Sequence, residues 1–203
     1  MKYIFLVLIS FLSIISIKAA ETDVLINNML QSYSKVGSLT ASISSVTSEQ
    51  SFSGSVIMQF EKFFLNMKDI KVWYDGTNLW TYTTESGELM LTEPTAEDLY
   101  SISPYAALAN YKNLFSVKVL AKNKNGVNSV KLLPKISDTI FKQIVLTANN
   151  KTNYIIKVEF YFSNGFINIV YLNYNKFGYK YSDATFKYDM SILPKGTPLV
   201  DLR

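Results

Sequence analysis

Residues 51–83 read SFSGSVIMQFEKFFLNMKDIKVWYDGTNLWTYT. Phe52, Gly54, Val56, Met58 and Phe60 share one parity against smaller or polar neighbours, and Phe63, Leu65, Met67 and then Ile70, Val72, Tyr74 continue the alternation. A period of two is what a strand with one buried face produces. Asp75-Gly76 marks a tight turn, Leu79 to Thr83 is a further strand, and Glu85-Ser86-Gly87 turns the chain into Glu88 to Thr92. Short turns between successive strands force antiparallel pairing, so this stretch predicts a β-meander.

Upstream the period changes. Apolar residues at Ile26, Met29, Leu30, Tyr33 and Val36 have helical spacing, with Thr22 or Asp23 as N-cap and Gly37 as the stop. Downstream, Thr95 and Asp98 fit a capping box, and Ser103-Pro104 opens a second short helix, YAALANYK. Strands resume near 115–122, 127–133, 140–148, 153–162, 166–174 and 184–188. Ser163-Asn164-Gly165 and Asn149-Asn150 mark hairpin turns. The expected fold is mainly β: a strongly curved antiparallel sheet forming an incomplete barrel, with two or three short helices as a lid. YIIKVEFYF (154–162) and FINIVYL (166–172) are apolar on both parities, more than two short helices can cover, which hints at a cavity.

The N-terminus carries an address. Lys2 precedes an almost unbroken apolar run, Tyr3 to Ile17, followed by Lys18, Ala19 and Ala20. A basic start, about 15 apolar residues and small residues beyond match a secretory signal peptide, whereas a spanning helix needs roughly 20. The expected division is a signal peptide at 1–20 and a single domain at 21–203, placing the mature protein in the periplasm. No cysteine exists for thioether lipidation or disulfides.

Composition prunes the chemistry. Losing Lys2 and Lys18 with the leader takes the net charge from +4 to +2. Arg203 is the only arginine, so neither charge nor bidentate recognition points to nucleic acid. With no histidine or cysteine, the commonest general base, the thiolate nucleophile and the usual zinc ligands are missing. Ser32-Tyr-Ser-Lys35 matches S-x-x-K, but it falls at the end of the first helix, where the dipole disfavours an oxyanion. Glu85, Glu88, Glu93, Glu97 and Asp98 have no metal-loop spacing and read as solvated turns and helix-start charge. The expectation is no catalytic residue, no metal and no cofactor. Trp73 and Trp80 fit core packing or the wall of an apolar cavity; no basic residue is interleaved as a stacking groove for single strands requires.

Taken in order, FSGSVIMQFEKFFLNM, VWYDGTNLWTY, EPTAEDLYSISPYAALANYKNLF and TFKYDMSILPKGTPLVDLR resemble the LolA family of periplasmic lipoprotein carriers, in particular its divergent Bacteroidetes-type members. The resemblance covers nearly the whole mature chain. It implies an incomplete barrel whose concave apolar face, lidded by helices, holds the acyl chains of lipoproteins. Such a carrier takes cargo from an inner-membrane ABC-type releasing complex to an outer-membrane acceptor, and the expected carrier is a monomer. Combined with alternation, the resemblance assigns Val56, Met58, Phe60, Leu65, Met67, Trp80, Tyr82, Ile156, Val158 and Phe160 to the cavity. Met29, Leu30, Tyr33, Tyr105, Leu108 and Tyr111 are assigned to the inner face of the lid. The family's lid-latching arginine has no counterpart in Met58-Gln59-Phe60-Glu61-Lys62-Phe63, which leaves the latch unassigned. The alternative reading is a periplasmic lipid or glycolipid binder with a sensing or envelope-assembly role.

Overall fold

The computed structural model describes residues 21–203; the expected signal peptide lies outside them. Residues 21–36 are helical (α1), and Gly37, at φ 72°, ends the helix with its N–H on the carbonyl of Tyr33. Thr22 and Asp23, expected as caps, lie within the helix.

Six strands follow: β1 (Ser38–Val46), β2 (Ser51–Gln59), β3 (Lys62–Met67), β4 (Ile70–Tyr74), β5 (Leu79–Thr83) and β6 (Leu89–Thr92). Three short helices come next, α2 (Ala96–Ile102), α3 (Pro104–Ala109) and α4 (Tyr111–Leu114). Thr95 and Asp98 close the predicted capping box on α2, and Ser103 caps α3 with Pro104 in its first turn. The single helix expected over YAALANYK breaks at Asn110. The remaining strands are β7 (Phe115–Lys124), β8 (Val127–Pro134), β9 (Phe141–Asn149), β10 (Ile155–Phe162), β11 (Ile167–Phe177) and β12 (Leu199–Asp201). A 3-10 turn, Asp183–Phe186, stands where a strand was expected near 184–188, with a second at Met190–Ile192.

All twelve strands form one sheet in the order β12-β6-β5-β4-β3-β2-β1-β11-β10-β9-β8-β7. The two meanders join where β1 pairs antiparallel with β11, Ser44 opposite Tyr171. Only β12 is parallel to its neighbour, β6. β12 and β7 remain as edges, so the sheet curves without closing. One glycine permits the close approach of β2 and β3. A Cβ on Gly54 would lie 2.4 Å from the Asn66 carbonyl oxygen.

The sheet separates two apolar clusters. The larger packs α1, α3 and Tyr111 of α4 against the inner face of the strands. The smaller, Trp73, Trp80, Tyr82, Leu89, Leu91 and Leu193, lies on the outer face, where the chain after β11 covers β4 to β6. Gln59 secures that chain by exchanging side-chain hydrogen bonds with the backbone of Tyr181, and Lys62 pairs with Asp183 at 2.7 Å.

Candidate functional site: an apolar inner face beneath a tyrosine-clamped lid

Alternation fixes which side chains reach the inner face. On β2 and β3, Val56 lies opposite Leu65, Met58 opposite Phe63 and Gly54 opposite Met67. On β10, Val158 and Phe160 share that face. These residues surround two adjacent cavities. The larger, of about 350 Å³, is bounded by Leu30 and Tyr33 of α1, Phe60 of the β2–β3 turn, Phe63 and Tyr74 of the sheet, and Leu99 and Tyr105 of the short helices. The smaller, of about 130 Å³, lies toward the Val46 end of β1 and is walled by Val56, Met58, Leu65, Met67, Val158 and Phe160, with Ile102 and Pro104 above. Met58 and Phe63, and likewise Ser103 and Pro104, each fall to different cavities, so the α2–α3 junction divides a continuous apolar floor.

Of the residues assigned to the lid, Leu30, Tyr33 and Tyr105 line the larger cavity, whereas Met29, Leu108 and Tyr111 line neither. Met29, Tyr33, Tyr105, Leu108 and Tyr111 are buried in the inner cluster, and Leu30 packs against it. Tyr33 and Tyr105 stack with ring centroids 4.3 Å apart and planes at 21°. The Tyr33 hydroxyl donates to the carbonyl of Phe60, tying α1 to the β2–β3 turn. The Tyr105 hydroxyl accepts from the Ile155 N–H at 3.4 Å, and the Tyr174 hydroxyl donates to the Ile155 carbonyl at 2.7 Å. Burial, then Tyr105 and Glu61, pushes the Tyr33 phenol up; burial dominates at Tyr105, raising it to about 12. Burial followed by Tyr105 raises Tyr174 well above the ordinary value of 10.0. All three therefore stay neutral at ordinary pH, which keeps Tyr33 and Tyr174 as hydrogen-bond donors.

At the other end of α1, Asp23 accepts from the Tyr111 hydroxyl and from Lys112 Nζ, the latter at 2.7 Å. These bonds, the lysine's first, hold the Asp23 carboxyl below its ordinary value. On α2, Glu97 Oε1 accepts from the Ile140 N–H at 2.8 Å. The lid is thus fastened by phenols and carboxylates; Lys62, in the stretch where an arginine latch was sought, faces Asp183 of the C-terminal segment.

Three cavity assignments need correction. Trp80 and Tyr82 are buried on the outer face. The turn at 75–78 returns the chain so that Trp80 lies directly opposite Trp73, and the tryptophans share a face, which is the outer one. Ile156 belongs neither to the inner cluster nor to either cavity wall. The ladder with β9 slips between Ile155 and Lys157, and this irregularity hands the buried position to Ile155, 0 % exposed. Phe60 does line the larger cavity, from the turn beyond the end of β2, at φ 53° and 62 % exposed. Sequence reading also missed Tyr74 and Tyr174, and it missed Ser45 and Asn168, the polar side chains of the smaller cavity. The signal for Asn168 was available: it shares its parity with Val170, Leu172 and Tyr174.

Ser32 of the S-x-x-K match donates to the carbonyls of Met29, at 2.7 Å, and Asn153, at 3.3 Å, an ordinary helix-side arrangement. Among the described residues no group of three or more acidic side chains is placed to hold a metal ion.

The family described as "Outer membrane lipoprotein carrier protein LolA" matches residues 12–159, well over half of the chain. Among solved structures, an uncharacterized conserved protein from Thermus thermophilus shares the fold at a TM-score of 0.60 and 8% identity, over 89% of this chain and 99% of that one. A LolA superfamily protein from Nitrosomonas europaea aligns at 0.45 and 10% identity, covering 82% of this chain and 97% of its own. A putative outer membrane lipoprotein-sorting protein domain from Vibrio parahaemolyticus aligns at 0.46 and 10% identity, over 79% and 95%. No curated protein matches the sequence.

Proposed function

The chain belongs to the LolA outer-membrane lipoprotein carrier family, and on that premise we propose that it is a periplasmic carrier of acylated lipoproteins. It binds their acyl chains on the inner face of its sheet, receives them from an inner-membrane ABC-type releasing complex, and delivers them to an outer-membrane acceptor. It performs no chemistry on the cargo. The observation that carries this reading is the apolar floor shared by two adjacent cavities beneath α1, α2 and α3.

The volumes constrain the cycle. The two cavities, of about 350 and 130 Å³, are separate, and lifting α1 and the α2–α3 junction would merge them into one site for a lipoprotein with two or three chains. Burial of each methylene contributes about 0.8 kcal/mol relative to water. A bilayer hides the chains equally well, so transfer at either membrane turns on the modest cost of opening the lid.

Incubation with spheroplasts tests the proposal. The carrier releases newly made lipoproteins as soluble complexes, and mass spectrometry of the recovered protein finds diacyl or triacyl lipopeptides. Recovery of a free lipid or glycolipid, without lipoprotein release, points instead to the lipid-binding alternative.

A further inference from the structure

We propose that Asn168 in the smaller cavity donates a hydrogen bond to the ester or amide carbonyl joining an acyl chain to its head group, and so sets the direction in which the cargo lies. This inference rests on reading the inner face as an acyl-chain site. The wall of that cavity is apolar except for Ser45 and Asn168. Ser45, 8 % exposed, lies on β1 near its Val46 end, and its hydroxyl donates to Asn168 Oδ1 at 2.7 Å. The bond occupies the amide's acceptor. A primary amide carries two N–H donors as well, and no acceptor among the described residues meets those of Asn168.

A donor without an acceptor in an apolar wall selects its partner by chemistry. Water or a ligand must satisfy it, and leaving it unmatched once the cavity is filled costs free energy. The fitting partner is a neutral acceptor flanked by hydrocarbon. An acyl ester or amide carbonyl has this character; a bare alkyl chain does not. A phosphate is a poorer match, because no lysine or arginine lines the cavity to offset its desolvation. Leu65, Met67, Asn168 and Val170 keep partial exposure, so the cavity communicates with solvent at this end. From Asn168 the floor runs past Val56 and Met58 toward Phe63 and the larger cavity. The carbonyl and head group accordingly sit at the Val46 end of β1, and the methyl end of the chain points toward Tyr33 and Phe60.

The test uses a matched pair of amphiphiles, 1-monopalmitoylglycerol and its ether analogue 1-O-hexadecylglycerol, in competition binding to the full mature chain. The ester binds about 2- to 13-fold more tightly than the ether, the weight of one net hydrogen bond. Asn168→Leu abolishes the preference while the ether's affinity is retained. Infrared spectra of bound ester with an isotope-labelled carbonyl show a lowered stretch in the parent protein and none in the variant. If Asn168→Leu fails to fold, Asn168→Ala serves: it removes the N–H donors with a smaller, uncharged side chain and loses the preference. Equal binding of ester and ether by the parent protein, or an unchanged carbonyl stretch in the variant, overturns the assignment of Asn168 and leaves the acyl-chain reading standing. Binding of neither amphiphile overturns both.

Discussion

The proposed carrier cycle makes lid opening a measurable equilibrium, and Tyr33→Phe, at the bond between α1 and the β2–β3 turn, tests it with little else changed. The substitution keeps the ring that stacks on Tyr105 and removes only the hydroxyl that donates to the Phe60 carbonyl. One net hydrogen bond contributes about 0.5–1.5 kcal/mol, so the open population rises about 2- to 13-fold. Hydrogen exchange read by mass spectrometry on peptides spanning 24–36 and 57–63 reports local opening, with β9 as the control for global unfolding. Exchange in both peptides accelerates by that factor, β9 is unchanged, and a bound triacyl lipopeptide dissociates faster by a similar factor. Unchanged exchange in α1 refutes the clamp. Acceleration that reaches β9 equally shows that the hydroxyl supports the whole fold and not the lid.

Gly54→Ala is expected to destabilise the fold by about 1–3 kcal/mol in chemical denaturation, because the new methyl group meets the backbone oxygen of Asn66 at 2.4 Å and cannot swing aside; an unchanged midpoint contradicts the close approach of β2 and β3. Alkaline pH should unfold the protein steeply. Tyr33, Tyr105, Tyr111 and Tyr174 all bind their protons more tightly folded than unfolded, burial being the largest cause at each. Their stabilisation is complete below the unfolded value of 10.0 and is lost as pH rises from there through about 12 at Tyr105 and beyond. Absorbance titration at the phenolate band, run beside circular dichroism, is expected to show a buried class ionising together with unfolding; smooth ionisation of every tyrosine near 10.0 counts against the buried phenols.

Much of the architecture was legible because it follows local rules. The stop at Gly37, the Thr95–Asp98 capping box, the Ser103-Pro104 helix start and the meander through residue 92 each depend on neighbours a few positions away. Val56, Met58, Leu65 and Met67 could be grouped because unbroken alternation carries facing reliably along a hairpin. The failures occur where that count is interrupted. A ladder slip beside Ile156 shifts the buried position by one residue, and the turn between Trp73 and Trp80 resets the parity. The strand expected near 184–188 fails for a different reason: Phe186 is buried against the sheet from a 3-10 turn, so its apolar character reports packing and not pairing.

By itself, then, the sequence determined a mainly β chain with an amphipathic helix and a short-helix insert, an excess of apolar surface and a lack of the side chains most catalysis needs. It also determined the family, through ordered motifs spread along the chain. The tertiary structure alone decided which face each tryptophan takes, that phenols and backbone carbonyls join the helices to the sheet, and that Asn168, bonded by Ser45, turns an amide toward an otherwise apolar cavity. The physical reason is range. Periodicity and caps are set by forces between neighbours in sequence, whereas facing across a turn, a hydroxyl meeting a carbonyl 27 positions away, and the polarity of a cavity wall exist only once the sheet has curved.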